Sequence, residues 1–150
     1  MKIPTEIREQ FRRYGADGGR KRSARLAPET RKAIARKAAT TRWIRARFGA
    51  SNFEALGLPG GDLVDRGLAD LAADETTVES LLISLAAARL RREGVPISSV
   101  HSDPEQRLYD LISQDAGDLA HARYNAYLRQ IVSFSEACRL VRIAGGRRAP

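Results

Sequence analysis

Cysteine occurs once in the 150 residues, at Cys138, so no disulfide can form within the chain and a structural zinc site has no second sulfur to draw on. A reducing, intracellular setting is the expectation. Histidine is nearly as scarce. His101 and His121 stand apart; neither forms a His-x-x-x-His pair, and neither joins Cys138 in a local motif. An Arg-x-x-x-x-His ribonuclease signature would need arginine five residues before a histidine, where the chain has Pro96 and Ala116. No Gly-x-x-x-x-Gly-Lys loop is present, and Gly18-Gly19 follows a helix candidate instead of a strand. No stretch approaches eighteen consecutive apolar residues, and Met1 to Glu6 contains no apolar leader core, so the expectation is a cytoplasmic chain that does not span a membrane. Alternation with a period of two is missing throughout, which leaves a sheet without a source. These absences argue against an enzyme and against any cofactor or metal. Asp62, Asp65, Asp74 and Glu75 read as helix caps and solvated turns; a nuclease using such dispersed acids is the remaining catalytic alternative.

What the chain has is charge, unevenly spread. Residues 1–50 carry fifteen Lys and Arg against four Asp and Glu, a balance of +11, whereas residues 51–150 carry eleven against fourteen, a balance of −3. The net +8 conceals a basic arm joined to a mildly acidic remainder. With 43% apolar residues overall, the chain has enough to close a core.

Helix signals run the length of the chain, so the expected fold is all-α: a compact helical domain preceded by a basic, partly flexible helical arm. Within arm 1–50, Pro4 and the spacing of Ile3, Ile7, Phe11 and Tyr14 predict a short helix over 4–14, ended by Gly15, Gly18 and Gly19. Residues 15–27 are expected to be flexible. Pro28-Glu29 opens a second helix to Phe48, with Ile34, Ala38, Thr41, Ile44 and Phe48 on one stripe and Lys32, Arg36, Trp43 and Arg47 nearly opposite. The pair Thr40-Thr41 is a candidate break. Gly57, Pro59, Gly60 and Gly61 mark 51–61 as a linker to a domain over 62–144. There Asp62 and Asp65 start a helix bearing Val64, Leu68 and Leu71. Thr76-Thr77-Val78-Glu79 reads as a Thr-x-x-Glu capping box for the next, which bears Leu81, Leu82, Leu85 and Ala86. Asp103-Pro104 opens one with Leu108, Leu111 and Ile112, and the longest covers 119–143, with Leu119, Tyr124, Ile131, Phe134, Cys138 and Val141 inward. Residues 145–150 are expected to fray.

Cations at this density neutralise phosphates without reading bases. Arg20, Lys21, Arg22, Arg25, Arg31, Lys32, Arg36, Lys37, Arg42 and Arg47 are the candidate contacts for nucleic acid or an acidic partner. Trp43 among them offers a flat surface for an exposed base, or else packs on the acidic domain.

Residues 18–43 contain Leu26-Ala27-Pro28-Glu29-Thr30-Arg31-Lys32-Ala33-Ile34-Ala35-Arg36-Lys37-Ala38-Ala39-Thr40-Thr41-Arg42-Trp43. This resembles a Leu-x-Pro-Glu-x-Arg-x-x-Ile-Ala-x-Lys-Ala-Ala-x-x-Arg-Trp motif of small bacterial, plasmid and phage accessory proteins, several of them encoded beside toxin–antitoxin genes. Taken with Gly18-Gly19 ahead of it, the match spans residues 18–43, about a sixth of the chain. The resemblance implies an antitoxin-like role: a cognate toxin protein as partner and contact with DNA, RNA remaining open. Residues 62–143 resemble no family. A nucleic-acid-binding accessory protein without a toxin partner is the alternative, and self-association is compatible with either.

Overall fold

Each helix here is set by a local start and stop, and the order in which they pack follows from which faces are apolar. The computed structural model describes residues 4–146, with side chains to residue 141. Among these residues six α-helices follow one another: α1 (Thr5–Arg25), α2 (Pro28–Phe48), α3 (Gly61–Ala73), α4 (Val78–Arg92), α5 (Pro104–Ala116) and α6 (Ala120–Gly146), with a 3-10 turn at Gly117–Leu119 before the last. No strand occurs among the described residues. Helices α2 to α6 pack sequentially, and α6 returns to touch α4.

Central position belongs to α4, which buries Ser80, Leu81, Leu82, Ile83, Ser84, Ala87 and Leu90. Apolar contacts on nearly every side are what a helix in the middle of a packed layer needs, and they leave it without one dominant stripe. Its capping box is set one residue later than the Thr76–Glu79 reading. Thr77 Oγ1 accepts from Ser80 N at 3.0 Å while Ser80 Oγ accepts from Thr77 N at 2.9 Å. The Thr77 hydroxyl also donates to Asp70 at 2.6 Å, so the start of α4 is tied to the end of α3. Those two helices cross in very close contact. A Cβ placed on Gly67 would stand 2.6 Å from the Glu79 carbonyl oxygen, so only glycine allows α3 this approach.

Three local expectations are decided, two of them by correction. The first helix does not stop at Gly15; it continues through Gly15, Gly18 and Gly19 to Arg25, so 15–25 is helical and not a flexible connector. Glycine weakens a helix interior by about 1 kcal/mol without forbidding it, and the true stop is steric. Leu26 and Ala27 are extended because Pro28 disfavours helical backbone before it. Second, of the two readings of 28–48 the continuous helix holds and the candidate break at Thr40-Thr41 does not, α2 being capped by Gly49, whose φ of 78° is left-handed. Third, residues 51–61, expected as a linker, carry Phe53, which is 0% exposed. Its ring lies edge-on to Phe48 at 5.9 Å and to Phe134 of α6 at 5.0 Å. The Asp65 carboxylate holds this segment by accepting from Phe53 N at 3.1 Å and Glu54 N at 2.9 Å. Asp65 therefore ties a distant loop and does not cap its own helix.

In α6, Ala120, Ile131, Phe134, Ser135 and Cys138 are buried. Leu119 is not on the inward face; it sits on the 3-10 turn, 62% exposed. Residues 145 and 146 belong to the helix, and 147–150 lie outside the described residues.

Candidate interaction surface

The basic residues are placed by α1 and α2, each 21 residues and therefore about 31 Å long. No residue of α1 is buried, and α2 buries Ile44 alone. Arg20, Lys21, Arg22 and Arg25 lie exposed on the C-terminal half of α1. Arg20 pairs with Asp17 at 2.7 Å, one turn earlier. Arg31, Lys32, Lys37, Arg42 and Arg47 are exposed on α2, where Lys32 reaches Glu29 at 3.8 Å. Both pairs are intrahelical and solvated, so they hold their cations only weakly.

Two candidates are placed differently from the rest. Arg36 is half-buried beside Leu68, Leu71 and the 96–99 segment. Trp43 is half-buried as well, edge-on to Phe48 at 5.6 Å, with the Arg47 guanidinium 6.0 Å from its ring centre. Beneath it passes Gly94, at φ 89°, where a Cβ would stand 3.3 Å from Trp43 Cζ2. Trp43 thus begins a row of rings running through Phe48 and Phe53 to Phe134, and packing on the body occupies much of its surface. The helical wheel of α2 alone set Trp43 opposite the apolar stripe; the turn at Gly94 that covers it comes from elsewhere in the chain.

Sequence reasoning missed a cleft of about 560 Å³ between α2, residues 51–54 and α3. Its lining combines Lys37, Thr40 and Thr41 with the carboxylates Glu54, Asp62 and Asp65. Burial lifts the Asp65 carboxyl above its ordinary value, opposed by the two backbone hydrogen bonds and reinforced by the nearby charges of Glu54 and Asp62. Asp62 pairs with Arg66 at 3.2 Å, and Arg66 also reaches Glu79 at 3.4 Å. Among the described residues, no group of three or more His, Cys, Asp or Glu side chains is arranged to hold a metal ion.

His101 and Cys138 have structural surroundings. His101 N donates to Ser84 Oγ at 3.1 Å, and its ring Nε2 lies 3.1 Å from the Glu75 carbonyl, which fastens the loop before α5 onto α4. His121 is exposed at the start of α6. Cys138 is buried, and desolvation, with the charge of Glu93 second, pushes its thiol up to about 12. No described helix is long and apolar enough to cross a membrane.

Compared with known proteins, the chain matches no family model, no curated protein and no solved structure.

Proposed function

We propose that the protein is an antitoxin-like regulator that acts by binding: its packed helical body and basic helices engage and neutralise a cognate toxin, and the exposed cations of α1 and α2 contact DNA. The observation carrying this reading is the division of labour between helices. Arg20, Lys21, Arg22, Arg25, Arg31, Lys32 and Arg42 stand on helices that bury almost nothing, while the hydrophobic core is closed by α3 to α6 and the C-terminal end of α2. Helices with so little buried surface gain little stability from packing, so a binding partner is the natural source of their ordering. The motif over residues 26–43 adds the resemblance to accessory proteins encoded beside toxins.

The test is co-expression with the product of the adjacent gene. The full chain should copurify with that product and restore growth that the product alone arrests; failure of both would refute the antitoxin reading.

One observation favours a second reading, a sequence-independent nucleic-acid-binding accessory protein. Arg20, Lys21, Arg22, Arg25, Arg31, Lys32 and Arg42 are spread along exposed helix faces, an arrangement that suits counterion-release binding to phosphates. Affinity for duplex DNA should then fall steeply as salt rises. Because Arg36 and Arg47 also support packing, reversal at the exposed Arg31 and Arg42 is the cleaner probe. It should weaken binding of all sequences alike and lower the salt slope.

A further inference from the structure

We propose that the α2–α3 cleft binds a small extended zwitterion with an apolar middle, a free peptide of two or three apolar residues, whose carboxylate meets Lys37 and whose ammonium group meets Glu54.

The charges lining the cleft divide into those already engaged and those still open. Asp62 and Arg66 face each other at 3.2 Å, and Arg66 also reaches Glu79 at 3.4 Å. Both Asp65 oxygens accept from the backbone, one from Phe53 N and the other from Glu54 N. Lys37 and Glu54 remain, one of each sign, lining the same cavity. Both are exposed, and among the described residues neither side chain forms an ion pair, with the other or elsewhere. One open cation and one open anion give the cleft no preference for a ligand of a single sign; they complement a ligand that carries both.

The separation of those two charges sets the length of the ligand. Asp65 holds residues 53 and 54 at its own level on α3, whereas Arg36, next to Lys37, lies beside Leu68, Leu71 and Ala72. At a rise of about 1.5 Å per residue, the stretch from Asp65 to Leu68 or Ala72 puts roughly 5–10 Å between those levels. A single amino acid, whose ammonium and carboxylate share one carbon, falls short of this span. An extended chain advances about 3.3–3.6 Å per residue, so two or three residues cover it. The cleft volume of about 560 Å³ lies within the roughly 300–1,000 Å³ of small-ligand sites.

The lining between the charges suits a peptide. Ile44, 1% exposed, and the half-buried Leu68 and Ala69 give the cleft an apolar floor for side chains. Thr40 and Thr41, half-buried on the turn after Lys37, also line it, and their hydroxyls make no hydrogen bond among the described residues. A hydroxyl both donates and accepts, so this pair can serve the carbonyl and N–H groups of a peptide backbone, which need partners once water is expelled. Asn52 accepts from Ala55 N at 2.9 Å through its side-chain oxygen and keeps its amide to donate to the same backbone.

Isothermal titration calorimetry of the full-length protein tests this with the dipeptide Ala-Leu and the tripeptide Ala-Leu-Ala, each free, N-acetylated or as its C-terminal amide. At least one free peptide should bind one to one. Its two blocked forms should bind at least about tenfold more weakly, the cost of losing a hydrogen bond to a charged group. Lys37→Met should lose the same factor for the free and N-acetylated peptide but not for the amide, which has no carboxylate to lose. Glu54→Gln should lose it for the free peptide and the amide but not for the N-acetylated form. Both side chains are exposed, so each variant should keep wild-type helicity by circular dichroism; should one fail to fold, the free and blocked peptides on the wild type still decide. Absence of binding by both free peptides, equal binding of the blocked forms, or the opposite matching of variant to blocked end overturns the proposal. None of these readouts involves a toxin or DNA, so they stand apart from the tests of the proposed function.

Discussion

Phe53→Ala discriminates sharply between a linker and a core segment at residues 51–61. The side chain is 0% exposed and lies edge-on to two rings, at 5.9 Å from Phe48 and 5.0 Å from Phe134. Truncating a buried Phe to Ala costs about 3–5 kcal/mol through lost transfer energy and the cavity left behind. The upper part of that span is expected, because the edge-to-face pairs contribute about 0.5–1.5 kcal/mol each beyond area, and Asp65 pins the backbone at Phe53 and Glu54 against collapse into the hole. Against a total stability of about 5–15 kcal/mol, this is a large fraction. Urea unfolding followed by far-UV circular dichroism and by the fluorescence of Trp43, the single tryptophan, reads the effect. With m about 2 kcal/mol/M, the midpoint should fall by roughly 2–2.5 M at unchanged slope. The neighbouring exposed Glu54→Gln should stay within about 0.5 kcal/mol of wild type. A loss below about 1 kcal/mol for Phe53→Ala, against the 3–5 kcal/mol of a buried ring, or a fluorescence transition separating from the circular dichroism transition, would refute the assignment of 51–61 and the end of α2 to the core.

Thr77→Ala removes the acceptor for Ser80 N and the hydroxyl that reaches Asp70; a loss of about 1–2 kcal/mol by denaturant titration is expected, at the upper end for a cap because two helices are released. Cys138, buried with its thiol pushed up to about 12, should resist a thiol reagent at neutral pH in the native protein and react fully in denaturant; rapid native labelling would contradict its placement. Asp65 has a folded-state pKa above its ordinary value, so the folded protein holds this proton more tightly than the unfolded chain. Its contribution therefore favours the folded state below the ordinary value of 3.8 and diminishes as pH rises through the raised value. Carboxyl carbon resonances should show Asp65 titrating later than a free aspartate, and an earlier midpoint would contradict the dominance of burial.

The helical character of the chain was legible because it rests on local rules. Pro28 at a first turn, Gly49 after Phe48, the threonines before α4 and Pro104 after Asp103 all act within a few residues, and α2 begins and ends where those signals stand. Local rules also misplaced elements. Gly15, Gly18 and Gly19 signal a stop, yet the steric stop before Pro28 governs. The capping box slipped by one residue because Ser80 and Glu79 both suit its third position, and only the approach of Asp70 distinguishes them. The candidate cations were visible as composition, whereas the half-burial of Arg36 and Trp43 was not, since it depends on residues 94–99, far along the chain.

By itself the sequence determined an all-helical chain, a +11 basic segment and the apolar positions Ile44, Leu81, Leu82, Leu108, Ile112, Phe134 and Cys138 that are buried. Spacing and charge are properties of neighbours along the chain, and a period of 3.6 converts them directly into faces. Only the tertiary structure decided that Phe53 belongs to the core, that Asp65 ties the 53–54 backbone, that Trp43 is covered, and that Ile7, Phe11 and Tyr14 are not. Each of those outcomes depends on which surfaces meet across long sequence separations, and close packing selects that meeting by the fit of whole faces, not by any local signal.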